Sequence, residues 1–176
     1  MDLRAVQKPL KERYRENPAA SKITLVARGV QADTPIACSV DLGRTIYDAE
    51  AHPGVGGAGT AACSGDLLLG ALAACAQLTC QMVAASMEIA LESVEVTVEG
   101  DLDLAGTLGT SREAAVGFEA IRLAFAIDAP EASEEELASL REKTERYCVV
   151  LQTLRNPPRV ASPRLVTPRL PSDRLP

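Results

Sequence analysis

The alternation of apolar and polar residues along the chain predicts strands on both sides of its centre. Valines alternate with polar residues from Val94 to Glu99, and apolar residues recur at every second position from Ile121 to Ile127. Strands with this pattern have one face in water and pair antiparallel. Earlier in the chain, alternation over residues 23–28 and a second run over residues 36–42 predict a hairpin, and a third short strand is predicted at residues 44–48.

The longest apolar segment, from Leu67 to Met87, carries no charge and predicts one long helix. Ser64 is expected to cap its N-terminus, because a serine hydroxyl accepts a hydrogen bond from an unpaired backbone N–H. The segment is also long enough to span a membrane. We reject that interpretation, because alanines and polar residues are frequent in it and no cluster of lysines or arginines flanks it. A helix that is apolar all round also suits the buried centre of a soluble protein.

Two further helices are predicted, one towards each end of the chain. Residues 3–16 are expected to form a charged helix that ends before Pro18, since the residue before a proline avoids the helical conformation. Near the C-terminus, Ser133 and Glu136 match a capping box. They predict a single amphipathic helix whose apolar face continues through Leu151.

The 176 residues suit one domain with extensions at both ends. We predict a helical N-terminal extension at residues 1–20, a domain at residues 21–166 and a disordered tail rich in proline and arginine at residues 167–176. One edge strand is expected at residues 159–166.

Composition and charge narrow the possible partners. The formal charge of −6 argues against a general nucleic-acid binder, so small molecules are the expected partners. Five cysteines, without a secretory signal at the charged N-terminus, do not indicate a disulfide scaffold. A zinc site is not expected either, because the sequence has no Cys-x-x-Cys pair and one histidine, His52, which is interpreted as a loop residue.

The cysteines are the candidate chemical groups. Only a thiolate attacks a peroxide or a disulfide, so a reactive cysteine needs a neighbour that favours its charge. Cys75 in the long helix and Cys148 in the late helix are our candidates. Cys63 is a rival, because it precedes the helix N-terminus, where a thiolate is stabilised. Cys38 and Cys80 are interpreted as core residues, since unpaired cysteines are often buried.

Three motifs, in the same order along the chain, resemble the family of osmotically induced and organic-hydroperoxide-resistance proteins, the OsmC-like family. They are the Cys-Ser-Gly-Asp-Leu-Leu-Leu-Gly-Ala-Leu-Ala-Ala-Cys sequence at residues 63–75, the Ser-Val-Glu-Val-Thr-Val-Glu-Gly-Asp-Leu sequence at residues 93–102, and the Tyr-Cys-Val-Val-Leu-Gln-Thr-Leu sequence at residues 147–154. The resemblance covers residues 22–166.

The resemblance implies an α+β fold, in which antiparallel sheets pack around a long central helix and two chains form an intertwined homodimer. It implies a cytoplasmic, cofactor-free thiol peroxidase that reduces organic hydroperoxides. Cys75 would be the peroxidatic cysteine and Cys148 the resolving cysteine. The disulfide between them would be reduced by an external dithiol.

The sequence departs from the family pattern near the first cysteine. Active members have a glutamate ten positions before that cysteine, where it holds an arginine against the thiolate, and here that position is Gly65. Asp66 is the nearest acid, but nine positions place it about 180° around the helix from Cys75. Glu50 is another possibility.

The activating arginine is also open, with Arg44 and Arg28 as candidates and Arg44 preferred. Val149 and Val150 stand where the family often has a proline and a serine after the late cysteine. These departures favour an alternative function, in which the fold is catalytically weak and acts as a module that binds an apolar ligand or responds to redox state.

Overall fold

The computed structural model describes residues 3–31, 37–42 and 45–161. The helices are α1 Leu3–Glu16, α2 Ser64–Met87, α3 Leu104–Thr107, α4 Glu134–Tyr147 and α5 Val149–Arg155. The strands are β1 Arg28–Gln31, β2 Ala37–Asp41, β3 Ile46–Glu50, β4 Ser93–Leu102 and β5 Phe118–Asp128. Short 3-10 turns lie at Pro18–Ser21 and Pro53–Val55. The predicted tail and the last five residues of the predicted edge strand lie outside the described residues.

Helix α2 is the central element and confirms the long helix predicted from the uncharged stretch. It is long and apolar enough to cross a membrane, and in the structure it packs against β4, α4 and α5 as the central helix of an α+β fold. Its buried side chains recur at helical spacing along the face turned to these elements: Leu72, Ala76, Thr79, Cys80 and Ala84. This face positions the cysteines of the helix relative to the rest of the core.

The predicted N-cap of α2 is wrong. The helix begins at Ser64, and the capping position is Cys63, whose backbone is extended with φ −84° and ψ 168°. The backbone N–H of Cys63 donates to the carboxylate of Asp66 at 2.9 Å. Asp66, at the third position of the helix, therefore makes the reciprocal bond of a capping box that starts at Cys63, and Ser64 is the first helical residue.

A two-stranded antiparallel sheet, β4–β5, covers one side of α2. Its register runs from Ser93 opposite Asp128 to Gly100 opposite Ile121, with an irregularity between Asp101 and Leu102. The alternation in both strands is confirmed, because the apolar positions face the helix core, namely Val94, Val96, Val98, Ile121, Leu123, Phe125 and Ile127.

The other sheet is three-stranded, antiparallel and ordered β1–β2–β3. A parallel β-bridge between Ala49 on β3 and Ala62 connects this sheet to the segment just before α2. The strand predicted at residues 23–28 is wrong, because residues 22–27 have no regular structure and β1 begins at Arg28. Leu25 in that segment is 86% exposed. The third strand starts two residues later than predicted, at Ile46.

The late helix is divided at Cys148, where we had predicted one continuous helix. Cys148 is extended, with φ −70° and ψ 106°, and it separates α4 from α5. Its N–H donates to the carbonyl of Thr144 and its carbonyl accepts from the N–H of Gln152, both at 2.9 Å. The break changes the chain direction while both peptide groups of the cysteine remain bonded.

A candidate two-cysteine site

The fold brings the two predicted cysteines together. Cys75 lies on α2 and is half-buried, whereas Cys148 is fully buried at the α4–α5 junction. Cys75 packs against a core cluster formed by Leu72, Ala76, Cys148 and Leu151. The two thiols lie close enough for each to shift the pKa of the other. A pair of adjacent thiols is the arrangement that a two-cysteine redox mechanism needs.

The surroundings of Cys75 favour its thiolate. Burial opposes the charge, but hydrogen-bond donors outweigh burial and hold the pKa of the Cys75 thiol below its usual value. The donors are the N–H of Val150, the thiol of Cys148, the hydroxyl of Thr79 and the N–H of Val149. The Thr79 Oγ1 lies 4.0 Å from the Cys75 Sγ. These four donors, all from the described part of the chain, are neutral groups that stabilise the thiolate through hydrogen bonds.

The helix break explains why these peptide groups are available. The first N–H groups of a helix have no acceptor within it, and α5 begins at Val149. Val149 and Val150 are the first two residues of α5, and their N–H groups stabilise the charged form of Cys75. A proline at position 149 would have no N–H to offer. The sequence signal was therefore present, but we had interpreted it only as a departure from the family pattern.

Cys148 has the opposite tendency. Burial raises the pKa of the Cys148 thiol, the N–H of Leu151 opposes this shift, and the neighbouring Cys75 raises the pKa further. Two adjacent thiols resist carrying two negative charges, so ionisation of Cys75 keeps Cys148 protonated. The structure thus distinguishes an ionisable thiol from a protonated partner.

Two other cysteines, Cys80 and Cys63, lie elsewhere on and before α2. Cys80 is buried with Ala84 and Leu140, and burial raises the pKa of its thiol. Cys63 is half-buried at the N-terminus of α2, where its backbone caps the helix. The side chain of Cys38 lies outside the described part of the protein.

Neither acid proposed as a substitute for the family glutamate is free for that role. Asp66 accepts from the N–H of Cys63, and this hydrogen bond lowers the pKa of its carboxyl. Glu50 accepts from the N–H groups of Ala61, at 2.9 Å, and Thr60. The Ala61 hydrogen bond is the main cause of the lowered Glu50 pKa. Both carboxylates therefore hold backbone structure.

The remaining predicted site residues are placed as follows. Arg44 and the side chain of Arg28 lie outside the described residues. The Nδ1 of His52 accepts from the N–H of Gly54 at 3.0 Å, which agrees with its interpretation as a loop residue. Within residues 3–31, 37–42 and 45–161, no group of three or more histidine, cysteine or acidic side chains is arranged to hold a metal ion.

Comparison with known proteins finds one family and one fold. The sequence model of one protein family, described as OsmC-like protein, matches residues 57–162 of this chain. Curated proteins give no match. Among solved structures, the fold is similar to that of an OsmC-like protein from Mycoplasma pneumoniae, with a TM-score of 0.65 and 18% identity over 77% of this chain and 89% of the other.

Two further structures are similar at comparable length. The organic hydroperoxide resistance protein OsmC from Legionella pneumophila has a TM-score of 0.59 and 23% identity, over 77% of this chain and 92% of that one. An organic hydroperoxide resistance protein from Elizabethkingia anophelis has a TM-score of 0.61 and 21% identity, over 78% and 91%. At these identities the structural similarity shows a shared fold.

Proposed function

Since the chain belongs to the OsmC-like protein family, we propose that it is a thiol peroxidase that reduces organic hydroperoxides, with Cys75 as the nucleophile and Cys148 as the resolving thiol. The observation that carries the proposal is the packing of Cys75 against the buried cluster that contains Cys148. Their surroundings lower the pKa of the Cys75 thiol and raise that of Cys148. The apolar cluster around the pair suits an organic hydroperoxide better than a strongly hydrated one.

The reaction proceeds in two thiol steps. The Cys75 thiolate attacks the terminal peroxide oxygen, an S–O bond forms as the O–O bond breaks, and the alkoxide leaves and takes a proton to become an alcohol. The sulfur of Cys75 is oxidised by two electrons to a sulfenic acid. The sulfur of Cys148 then displaces the hydroxyl group, giving a disulfide and water, and an external dithiol reduces that disulfide.

Rapid mixing of the reduced protein with cumene hydroperoxide tests this mechanism. We expect the loss of two free thiols per chain, with Cys75 and Cys148 joined in one disulfide-linked peptide by mass spectrometry. Cys75→Ser should abolish peroxide consumption, whereas Cys148→Ser should stop at a trappable sulfenic acid. Cys80→Ser is the matched control on the same helix and should react like the wild type. Undiminished consumption by the Cys75 variant would reject the mechanism.

Arg44 remains our proposed cation for the site. Its role is tested by the pH dependence of Cys75 alkylation in Arg44→Ala and Arg44→Lys. A contribution of positive charge predicts slower alkylation at neutral pH in the alanine variant and retention of much of the rate in the lysine variant. Identical profiles in all three proteins would leave the neutral donors as the whole source of activation.

A weakly catalytic binding or redox-responsive module is the second candidate, and Gly65 favours it. A Cβ at this position would lie 3.3 Å from the Cζ of Phe118 and 3.5 Å from the Sγ of Cys63, so a larger side chain requires the ring to move. If the missing glutamate limits activity, Gly65→Glu should gain peroxide reactivity. Gly65→Ala separates the effect of crowding from that of charge. Wild-type protein that reacts no faster than a free thiol would support this candidate.

We also propose a homodimer. Apolar side chains on α2 and at the α4–α5 junction are exposed in the single chain, including Leu78 at 59% and Val149 at 69%. Exposed apolar surface next to a site is typical of an interface. Light scattering should give twice the chain mass, and Leu78→Glu should shift the protein towards the monomer. A wild-type monomer at micromolar concentration would contradict the dimer.

The proposed domain, residues 21–166, contains the segment that matches the family, and we place it in the cytoplasm because the cycle needs a reduced resting dithiol. Cell fractionation with a thiol-labelling reagent tests this placement. A protein found outside the cytoplasm with Cys75 and Cys148 permanently joined would contradict it.

A further inference from the structure

Thr79 occupies an unusual position next to Cys75. It lies one turn further along α2, is only 5% exposed, and places its Oγ1 4.0 Å from the Cys75 Sγ. Residues four apart on a helix lie on the same face, so this contact is fixed by the helix itself. Sequence reasoning gave Thr79 no role beyond a polar residue in an apolar stretch.

The same side chain lines a cleft. The cleft has a volume of about 550 Å³ and lies between α1, α2 and α4. Met82, Val83, Met87 and Tyr147 form its apolar wall, and its polar and charged lining residues besides Thr79 are Gln7, Lys11, Ser86 and Lys143. Cys75 is not among the lining residues, whereas Thr79 is. Thr79 therefore lines the cleft and also contacts the sulfur of Cys75.

We propose that Thr79 is a positioning residue for Cys75: its hydroxyl donates a hydrogen bond to the thiolate sulfur and keeps the sulfur ionised and in place. Its consequence for catalysis rests on the proposed peroxidase function, because only an ionised Cys75 attacks a hydroperoxide. The Thr79 hydroxyl donates a hydrogen bond to the sulfur and keeps its proton throughout the reaction. A donor is needed there, since an ionised sulfur half-buried in an apolar cluster requires hydrogen bonds to remain charged.

A purely structural role is the competing explanation. A threonine hydroxyl in a helix can donate to the carbonyl four residues earlier, which here belongs to Cys75. That bond would support the backbone but would leave the titration of the sulfur unchanged. The two roles therefore differ in one measurable property, the pH dependence of the reaction of Cys75 with an alkylating agent.

The chain offers a matched control in Thr144. This threonine is 1% exposed on α4, and its hydroxyl lies near the Cys80 thiol without forming a well-aligned hydrogen bond among the described residues. Thr144→Val removes a buried hydroxyl at constant shape, as Thr79→Val does. Any general effect of replacing a buried threonine will therefore appear in both variants.

The experiment follows iodoacetamide labelling of Cys75, read from its peptide by mass spectrometry, in the full-length reduced protein between pH 5 and 10. We expect Thr79→Val to label about tenfold more slowly at pH 7, the size expected for one lost hydrogen bond to a charged group. At pH values where the thiol is fully ionised, the rates should be equal or slightly higher in the variant. Thr79→Ser should restore the wild-type profile, and Thr144→Val should match it.

An unchanged pH profile in Thr79→Val, or a serine variant as slow as the valine variant, would overturn the proposal. If Thr79→Val does not fold, as judged by circular dichroism, Thr79→Ala is compared with Thr79→Ser in the same way. The labelling assay needs no peroxide, so a failed peroxidase function and a failed role for Thr79 give different results. Peroxide consumption lost only in Cys75→Ser, with normal labelling in Thr79→Val, would reject Thr79 alone.

Discussion

The two sheets of this protein are built from similar alternating sequences but differ in what covers them. Sheet β4–β5 lies against α2, and its apolar positions join the two core clusters. In sheet β1–β3, Ile46 is 67% and Tyr47 48% exposed, and among its described side chains only Ala49 is buried. Alternation of apolar and polar residues thus indicates that one face of a strand is suited to burial. Whether that face is buried depends on the elements that pack against it. The uncovered sheet supports the proposed homodimer, since a second copy could supply the missing cover.

The largest expected effect comes from removing a side chain from the covered side. Leu72 is fully buried on α2 against the β4–β5 sheet. Leu72→Ala should lower the free energy of unfolding by about 2–5 kcal/mol, because it leaves a cavity as well as losing apolar burial. Ile46→Ala on the uncovered sheet should change it by less than about 1 kcal/mol in the monomer. Urea unfolding measures both, and equal losses would show that the two sheets are covered alike.

A glycine pair gives an intermediate effect. A Cβ at Gly100 on β4 would lie 2.6 Å from the ring of Phe118 and 3.1 Å from the Cδ2 of Leu69. Gly100→Ala should therefore destabilise the protein by about 1–3 kcal/mol, as overpacking does. Gly70 on α2 has open space around the same position, so Gly70→Ala should stabilise by about 0.4–1 kcal/mol. Thermal unfolding distinguishes the signs, and stabilisation by both would contradict tight packing under β4.

The smallest effect concerns the attachment of the uncovered sheet. Glu50 ends β3, and its carboxylate holds the N–H groups of Thr60 and Ala61 before α2. Since hydrogen bonding lowers its pKa, the contribution is present above the usual glutamate pKa and is lost as pH falls through the lowered value. Amide exchange in β3, corrected for intrinsic rates, should rise at acid pH before exchange in β4 does. Glu50→Gln should remove the pH dependence, and synchronous exchange in both sheets would refute it.

The sequence predicted the covered half of the fold well. The uncharged stretch to Met87 and the alternation in β4 and β5 are local signals, and packing of each element in the core reinforces them. The alternation at residues 23–28 gave a false strand, because a strand needs a partner ladder and the sequence does not show whether one is present. The start of β1 at Arg28 was accordingly missed.

The sequence pointed to the two cysteines that the fold brings together, but it did not predict the groups that surround them. Cys75 and Cys148 come together as expected, since their motifs place them on neighbouring core elements. The break at Cys148 was missed because the apolar spacing continues through Leu151 on both sides of it. The N–H donors that favour the thiolate belong to the backbone, and a sequence shows a free N–H only where a helix boundary is known.

The division of the late helix bears on the timing of the proposed cycle. Both peptide groups of Cys148 are hydrogen-bonded, to Thr144 and to Gln152. Its sulfur is therefore attached to a rigid helix junction. We expect the Cys148 thiol to meet the oxidised form of Cys75 without local unwinding, because both partners belong to one packed cluster. The pace of disulfide closure is then set by bond chemistry, and it should vary little with solvent viscosity.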